Sequence, residues 1–285
     1  MIPKIIFTYW HSKNIPKFIK LCFKNWKKQN PDFEIKIFNK KSIMKLIDNS
    51  GIKNKKLIKK LNSHSIQFQS DIFRLYLLYN FGGVWIDASI ILLGSLNKDI
   101  DFNSNEIYGF GFPNNNLILE SWFLAAPKNH PFIRLWLIEF TKAMKMKIGI
   151  CKSYFMDKME NFSNETKSKE LRIIIKKIYF TIINSLPYLT IHACFIIVWI
   201  ITKINLQEYK LNIKNSLEGP YHYNKITKWN LNKACDLLFK KNYLDEFGNN
   251  LNSNVIKLRG SERKYIIDNF KKKIIENGSI LSFLK

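Results

Sequence analysis

The first forty residues change from one hydrophobic period to another and back again. Lys4–Trp10 and Phe33–Phe38 are rich in β-branched and aromatic residues, so they predict a buried strand and a half-exposed strand. Between them, Ile15-Pro16 opens a segment whose apolar residues recur on one stripe at helical spacing, at Phe18, Leu21, Cys22 and Trp26. Strand, helix and strand in this order predict a βαβ unit and therefore a mostly parallel sheet.

The rest of the chain continues the alternation of helical and strand patterns. Helices are predicted at Ser42–Ile47, Asn54–Leu61, about Gln69–Phe81 and Pro131–Lys147. Strands are predicted at Val84–Ile86, Ile90–Leu93, Ile107–Phe112 and Trp122–Ala125. The C-terminal third is predicted to be helical and basic, with loops at Glu218–Asn224 and Gly248–Asn254. We therefore expect an α/β core over residues 1–150 and a mainly helical part over residues 151–285, packed on the core as one unit.

One run, Ile178–Thr202, contains no Asp, Glu, Lys or Arg. Its length permits a membrane span. Pro187, His192 and several Asn, Ser and Thr residues make it polar for that role, which favours a helix on the membrane surface or a plain core helix. Lysines flank the run, and no secretory signal is visible. These features predict a cytoplasmic protein that rests on the inner face of the cytoplasmic membrane.

The composition adds a strong positive charge. Of 285 residues, 46 are Lys or Arg and 22 are Asp or Glu, which gives a net charge of +24. Such a field attracts nucleic acid, anionic lipid or diphosphate ligands, although the abundance of Lys, Asn and Ile is also what an AT-rich genome produces. The chain contains no recognised nucleic-acid-binding module, and its lysines are not interleaved with aromatic residues, so we expect no nucleic-acid partner. The four cysteines are widely separated and argue against a disulfide framework or structural zinc.

Residues 70–89 carry the candidate chemistry. Asp71 and Arg74 are three residues apart and share one face of a predicted helix. The pair Gly82-Gly83 ends that helix and lets the backbone approach closely. Asp87 follows a buried strand, at the carboxyl end where open α/β sheets bind their ligands. A carboxylate at this position accepts hydrogen bonds from hydroxyls or holds a divalent cation, and an arginine pairs with diphosphate oxygens.

The pattern S-D-x-x-R-x-x-x-L-x-x-x-G-G-x-(W/Y)-x-D over Ser70–Asp87 resembles the signature of glycosyltransferases with a DXD sugar-binding motif. In particular, the chain resembles bacterial capsular polysaccharide synthesis proteins. Further segments that look like that family are Ile2–Trp10, Asn25-Trp26, Asn30-Pro31, Trp122–Pro127 and His130–Phe132. The resemblance covers about residues 2–140, and beyond them Gly219-Pro220 and Lys257-Leu258 resemble the family weakly.

This resemblance implies a GT-A-like, Rossmann-type fold and a nucleotide-sugar donor, with a UDP-sugar favoured. It also implies a bound divalent cation, Mn²⁺ or Mg²⁺, and transfer to a nascent or lipid-linked capsular or surface polysaccharide with retention of anomeric configuration. Carried over to this sequence, the donor-binding residues are Trp10 near the nucleotide base, Asp71 and Arg74 at the donor sugar, Gly82 and Gly83 in the turn, and Asp87 as the first acid of the motif.

The segment Asp87-Ala88-Ser89 departs from the family pattern, because a serine replaces the second acid. Asp87 and Ser89 are the candidate metal ligands, but a hydroxyl binds a hard cation more weakly than a carboxylate does. Lysines could stabilise the departing diphosphate instead. The missing acid also leaves open a catalytically inactive relative that acts as a scaffold in polysaccharide assembly. No catalytic base or nucleophile is assigned, and His222 is a weak candidate in a loop that could cover the acceptor.

Overall fold

The computed structural model describes residues 1–49, 61, 63–112, 119–169, 172–173, 186, 188–205 and 209–285. Its strands are β1 Ile5–Tyr9, β2 Glu34–Phe38, β3 Gly83–Ile86, β4 Ile90–Leu92, β5 Ile107–Gly111, β6 Leu119–Ala126, β7 Leu211–Asn215 and β8 Val255–Lys257. Its α-helices are α1 Lys17–Gln29, α2 Lys40–Asn49, α3 Ile66–Phe81, α4 Pro131–Lys145, α5 Ile148–Glu165, α6 Thr190–Ile204, α7 His222–Ile226, α8 Leu231–Phe239, α9 Asn242–Phe247 and α10 Gly260–Asn269. The predicted helix Asn54–Leu61 lies outside the described residues, apart from Leu61 itself.

Six strands form one sheet in the order β2-β1-β3-β6-β5-β7. Strand β1 runs parallel to β2 and β3, and β7 runs parallel to β5, whereas β6 is antiparallel to both β3 and β5. Neighbouring residues of β3 enter two different hydrophobic clusters, with Trp85 in one and Val84 and Ile86 in the other. Both faces of the sheet are therefore covered, as a mostly parallel sheet requires. The predicted α/β class is confirmed.

The N-terminal βαβ unit forms as its sequence pattern predicts. Strand β1 pairs with β2 in parallel register, from Ile5 opposite Glu34 to Tyr9 opposite Phe38. Helix α1 connects them and buries its apolar stripe, which includes Cys22 and Trp26. This unit places the end of β1 beside β3, the strand that leads to Asp87.

Helix α3 begins and ends at residues that the sequence marks. The side chain of Ser65 accepts a hydrogen bond from the backbone N–H of Phe68 at 3.3 Å, which caps the first turn. The helix ends at Gly82, whose φ of 66° lies in the left-handed region. A Cβ atom at Gly82 would lie 2.5 Å from the backbone nitrogen of Lys128, and one at Gly83 would lie 2.7 Å from the carbonyl oxygen of Ile5. The two glycines thus permit a close turn against β1 and the segment after β6.

The described part of the uncharged run is a core helix. Helix α6 packs against α4, α5 and β6, and residues such as Cys194, Phe195 and Ile197 are fully buried. The indole nitrogen of Trp136 on α4 donates to the carbonyl oxygen of Ile191 at 2.8 Å. Within the described parts of the chain, no helix combines the length and the apolar character needed to cross a bilayer.

The second half of the chain contributes strands that the sequence did not predict. Strand β7 extends the central sheet beside β5, and β8 pairs antiparallel with β4 in a separate two-stranded sheet. Strand β8 is only three residues long and has no clear hydrophobic pattern, whereas residues 209–214 alternate between apolar and polar side chains and do carry a strand signal for β7. The predicted loop Glu218–Asn224 is also wrong in part, because helix α7 begins at His222. Pairing with β4 therefore creates a strand, β8, that local propensity does not indicate.

Candidate active site

Asp87 lies at the carboxyl end of β3, beside the end of β1. Its backbone N–H donates to the carbonyl oxygen of Trp122 at 2.9 Å, which continues the pairing of β3 with β6. Its own carbonyl oxygen accepts from the N–H of Ile90 at 3.1 Å, which closes a tight turn before β4. The Asp87 side chain is 29% exposed. The strand end and the turn thus leave this carboxylate at the carboxyl end of an inner strand and partly accessible to solvent.

Arg74 lies between the two acids of the motif. Its Nη1 is 3.0 Å from Oδ1 of Asp71, and its Nη2 is 3.4 Å from Oδ1 of Asp87. The glycine turn explains the second contact, because it folds β3 back along α3. Arg74 precedes Gly82 by eight residues, roughly 12 Å along a helix, and Asp87 follows Gly83 by four residues, roughly 13 Å along a strand. The structure therefore brings Asp71, Arg74 and Asp87 together.

Lys257 is a fourth charged residue at this place, and the sequence did not identify it. Its Nζ is 2.8 Å from Oδ2 of Asp87, and its side chain is 12% exposed. Lys257 is the last residue of β8, and the pairing of β8 with β4 places it opposite Ile90, three residues beyond Asp87. The weak family resemblance at Lys257-Leu258 was the available signal, and it carried no chemistry by itself.

Trp85 supports this arrangement at the same carboxylate oxygen that Arg74 contacts. Its indole nitrogen donates to Oδ1 of Asp87 at 3.2 Å. The guanidinium of Arg74 lies over the same ring, 5.1 Å from its centre, which is within the range of a cation–π contact. The Trp85 side chain therefore orients both the carboxylate of Asp87 and the guanidinium of Arg74.

The surroundings give the two aspartates opposite pKa shifts. Burial raises the pKa of Asp71 to about 7, with Arg74 opposing the shift and Asp87 adding to it. Burial also acts on Asp87, but the ammonium of Lys257 and then the guanidinium of Arg74 outweigh it and lower the pKa of that carboxyl. Asp87 is thus ionised at neutral pH, whereas Asp71 keeps its proton to a higher pH.

Several polar atoms around this cluster are buried without partners. Among the described residues, Nε of Arg74, Nδ1 of His192 and the hydroxyl of Tyr9 have no hydrogen-bond partner. Burial, and then the nearby charge of Arg74, lower the pKa of His192 to about 4, so its imidazole is neutral at neutral pH. Burial raises the pKa of Glu120, a further acid beside Lys257. Unsatisfied polar atoms of this kind are uncommon in protein interiors and suit a polar ligand.

Helix α1 holds the segment that follows Asp87. The side-chain amide of Asn25 donates to the carbonyl oxygen of Leu92 at 2.9 Å and accepts from the N–H of the same residue at 2.8 Å. The indole nitrogen of Trp26 donates to the carbonyl oxygen of Ile90 at 2.8 Å. These two neighbours bind the whole of β4, so the Asn25-Trp26 pair explains how the turn after Asp87 keeps its shape.

The other predicted site residues occupy different places. The register of β1 and β3, with Phe7 opposite Trp85, puts Trp10 just past Asp87 on the neighbouring strand. Gly82 and Gly83 lie at the other end of β3 and serve the turn, so the structure does not bring them to Asp87. The imidazole of His222 contacts the hydroxyl of Tyr243 at 3.0 Å and packs on Phe247. None of the contacts of His222 reaches Asp87 within the described residues.

Comparison with known proteins shows the family of the chain. The family described as "Capsular polysaccharide synthesis protein" matches residues 1–180, more than half of the chain. The chain belongs to this family. It is also 27% identical, over 158 residues, to the O-glycosyltransferase braB of Annulohypoxylon truncatum, and this alignment covers 49% of the chain and 37% of that protein.

A solved structure described as PaToxG Glycosyltransferase aligns with 99% of this capsular polysaccharide synthesis protein and with 87% of its own chain. The two share 16% sequence identity, with a TM-score of 0.39. A likeness of this size carries no argument for function.

The Asp87-Ala88-Ser89 segment of this capsular polysaccharide synthesis protein does not fit a divalent cation as it stands. Both oxygens of the Asp87 carboxylate already contact nitrogen donors, namely Arg74 and Trp85 on one and Lys257 on the other. Ser89 is 2% exposed. In the part of the chain that the structure describes, no group of three or more His, Cys, Asp or Glu residues could hold a metal ion. Mg²⁺ and Mn²⁺ require several free oxygen ligands.

A row of aromatic rings leads outward from Lys257 in this capsular-family protein. The Lys257 ammonium lies 5.6 Å from the ring centre of Trp122, which meets Tyr221 at 5.9 Å. Tyr221 in turn meets Trp229 at 5.8 Å, and the guanidinium of Arg259 lies over Trp229 at 4.8 Å. Trp229 is 40% exposed, and its φ of 61° lies in the left-handed region, which is uncommon for a bulky residue. We call these residues, Trp122, Tyr221, Trp229 and Arg259, the aromatic row.

A cavity of about 640 Å³ lies away from this site. Its lining includes Lys4, Tyr108 and Asn212, which stand at the amino ends of β1, β5 and β7. Asp87 stands at the carboxyl ends of the parallel strands. In this capsular polysaccharide synthesis protein, the cavity and the Asp87 site thus lie at opposite ends of the parallel strands.

Proposed function

We propose that this protein is a glycosyltransferase that moves a sugar from a nucleotide-sugar donor to a hydroxyl of a growing or lipid-linked surface polysaccharide. The observation that carries the proposal is a cluster of charged residues at the carboxyl end of β3, namely Asp71, Arg74, Asp87 and Lys257. The chain that carries this cluster belongs to the capsular polysaccharide synthesis family. Carboxylates that accept sugar hydroxyls beside cations that pair with phosphate suit this class of donor.

The donor side follows from the charges of the cluster. Arg74 and Lys257 supply two positive groups for the diphosphate. Asp71 and Asp87 are the acceptors for sugar hydroxyls. Trp10 follows the neighbouring strand, where its half-buried ring can stack on the nucleotide base. A UDP-sugar is the donor that we favour.

The acceptor side follows from the aromatic row. Sugar rings bind proteins through their apolar faces as well as their hydroxyls, so an exposed indole next to a charged site suits a glycan. Trp229 and Arg259 present such a surface, one aromatic neighbour after another from Lys257. We therefore place the acceptor glycan on the aromatic row. Contact with the inner membrane face stays a prediction. Most of the described part of the uncharged run that suggested this contact forms α6, which is largely buried in the core.

In the proposed reaction, the acceptor hydroxyl oxygen bonds to the anomeric carbon of the donor sugar. The bond between that carbon and the diphosphate breaks, the electron pair stays on the diphosphate oxygen, and the hydroxyl proton is released to solvent. Cations fixed near the leaving diphosphate stabilise the charge that develops there. Retention of the anomeric configuration stays an expectation of the family resemblance.

The test is the variant Asp87→Asn, which keeps the shape of the side chain and removes its charge. We expect release of nucleoside diphosphate from a panel of UDP- and GDP-sugars to fall by about a hundredfold or more. Asp32→Asn is the control, because Asp32 is also paired with a lysine, Lys4 at 2.6 Å, but at a distant surface. Undiminished turnover in Asp87→Asn would reject the site. A wild-type protein that neither binds nor cleaves any donor of the panel would favour a scaffold role.

A further inference from the structure

We propose that Lys257 takes the place of a divalent cation at Asp87, so that this protein binds its nucleotide-sugar and transfers the sugar without a divalent metal. This inference rests on the proposed transferase function. It concerns a residue that the motif analysis did not find and a cofactor that the motif implies. Its starting observation is the 2.8 Å contact between Nζ of Lys257 and Oδ2 of Asp87.

Several contacts build the position of Lys257. Its backbone N–H donates to the carbonyl oxygen of Pro220 at 3.2 Å, and its carbonyl oxygen accepts from the hydroxyl of Tyr223 at 2.7 Å. The pairing of β8 with β4 fixes the strand from the other side. With the side chain 12% exposed and its ammonium over Trp122, Lys257 is held in place and is unlike a mobile surface lysine.

The charge balance agrees with an exchange of metal for lysine. A motif with two carboxylates and one divalent cation has no net charge, and neither has one carboxylate with one ammonium. Ser89 stands where the second acid of the motif would be, so the loss of that acid and the gain of Lys257 compensate one another. A divalent cation added here would face the positive charges of both Lys257 and Arg74 at close range.

The lysine can also perform the task of the metal. An ammonium group has three N–H donors, and Asp87 accepts one of them. The remaining donors can reach diphosphate oxygens while Arg74 approaches from the other side of Asp87. As the bond between the anomeric carbon and the diphosphate breaks, the negative charge that appears on the leaving oxygen is balanced by these two cations. No atom other than those of donor, acceptor and solvent changes its bonding.

The experiment compares metal-free and metal-loaded protein by two measurements. Binding of UDP and GDP is measured by calorimetry on the full chain, with excess EDTA and then with Mn²⁺ or Mg²⁺, and release of nucleoside diphosphate from the donor panel is measured under the same conditions. We expect the wild-type affinity and turnover in EDTA to equal those with metal within about twofold. The variant Lys257→Met should lose affinity for the bound nucleotide by about ten- to a hundredfold in EDTA.

Lys214→Met is the matched control. Lys214 is also partly buried and paired with an aspartate, Asp99 at 3.4 Å, but it lies on β7 away from Asp87. Circular dichroism and melting temperatures establish that both variants fold. If Lys257→Met does not fold, Lys257→Gln is measured in its place, and the wild-type comparison with EDTA still decides whether a metal is required.

The outcomes separate the two proposals. Wild-type turnover that requires Mn²⁺ or Mg²⁺ would overturn the inference and leave the transferase function standing. Unchanged nucleotide affinity in folded Lys257→Met would overturn the role of the lysine. Absence of nucleotide binding and of donor cleavage under every condition would overturn the transferase function, and the inference with it. Metal-independent turnover together with the loss in Lys257→Met supports the inference.

Discussion

At the scale of single residues, the two carboxyl groups of the motif have opposite pKa shifts: that of Asp87 is lowered and that of Asp71 is raised. Asp87 contacts Lys257, Arg74 and Trp85, whereas Asp71 has Arg74 as its neighbouring cation and is more deeply buried. The difference gives the two acids different tasks. In the proposed function, both acids accept sugar hydroxyls, Asp87 keeps its charge and also orients the cations, and Asp71 can donate a hydrogen bond when it is protonated.

The raised pKa of Asp71 makes the stability of the fold depend on pH. Its folded-state pKa of about 7 lies above the ordinary value of 3.8, so the folded state holds a proton that the unfolded state has lost between these values. The unfolding free energy of the wild type should therefore fall, relative to Asp71→Asn, by on the order of 2 kcal/mol as the pH rises from about 5 to about 8. Urea titrations across this range measure the difference.

Asp101→Asn serves as the control, because Asp101 is exposed and makes its side-chain hydrogen bond within its own turn. Its unfolding free energy should follow that of the wild type at every pH. If Asp71→Asn follows the wild type as well, Asp71 is not the group that titrates in this range.

At the scale of elements, the turn between α3 and β3 determines where the motif residues meet. The turn reverses the chain within two residues, both with positive φ. Equal lengths of helix and strand then lead away from it to Arg74 and to Asp87. A longer connection would shift the guanidinium of Arg74 along the helix axis relative to the carboxylate of Asp87 and separate the two groups. The glycines therefore act on the site through the geometry of the turn and without touching a ligand.

Replacement of Gly82 by alanine should destabilise the fold. Alanine is strained at the positive φ of this position, and its Cβ would collide with the backbone of Lys128. We therefore expect a loss of about 2–4 kcal/mol of unfolding free energy. Chemical denaturation measures it. Gly149→Ala is the control, since a Cβ at Gly149 meets nothing within 4 Å, and it should change stability by less than about 1 kcal/mol. Equal stability of the two variants would show that the turn tolerates a side chain.

At the scale of the whole molecule, the site is assembled from both halves of the chain. Asp71, Arg74 and Asp87 come from the first half, and Lys257 with most of the aromatic row comes from the second. Strand β8 pairs with β4 and carries Lys257 to Asp87, so a pairing between the two halves also completes the site. In the proposed function, the first half supplies most of the donor site, which Lys257 completes, and the second half presents most of the acceptor surface.

This division predicts that Trp229→Asn separates transfer from donor cleavage. Asparagine accepts the left-handed backbone of this position, so the variant removes the indole without straining the turn. We expect transfer to a polysaccharide acceptor to fall by about tenfold or more, while release of nucleoside diphosphate without acceptor stays at the wild-type rate. Tyr188→Ala removes an exposed ring elsewhere and should leave both rates unchanged. Equal losses of transfer and of cleavage in Trp229→Asn would contradict the acceptor assignment.

The sequence by itself determined the elements of the first half and the grouping of the motif. Periodicity located β1, α1, β2, α3 and β3, since each has a local hydrophobic pattern, and the spacing from Asp71 to Asp87 indicated one site. Neighbouring positions along the chain carried that information. The family resemblance of residues 2–140, which the match over residues 1–180 supports, rests on the same local patterns.

The tertiary structure decided what depends on distant pairing. Strand β8 is too short and too weakly patterned to form alone, and it exists because it pairs with β4. Strand β7 has an alternating pattern of its own, but only its pairing with β5 places it in the central sheet. Lys257 meets Asp87 across 170 positions of the chain, and no local pattern distinguishes this lysine from the many others. Its partner, its burial and its charge environment arise from the register between β4 and β8, because only that pairing brings an ammonium to the end of β3.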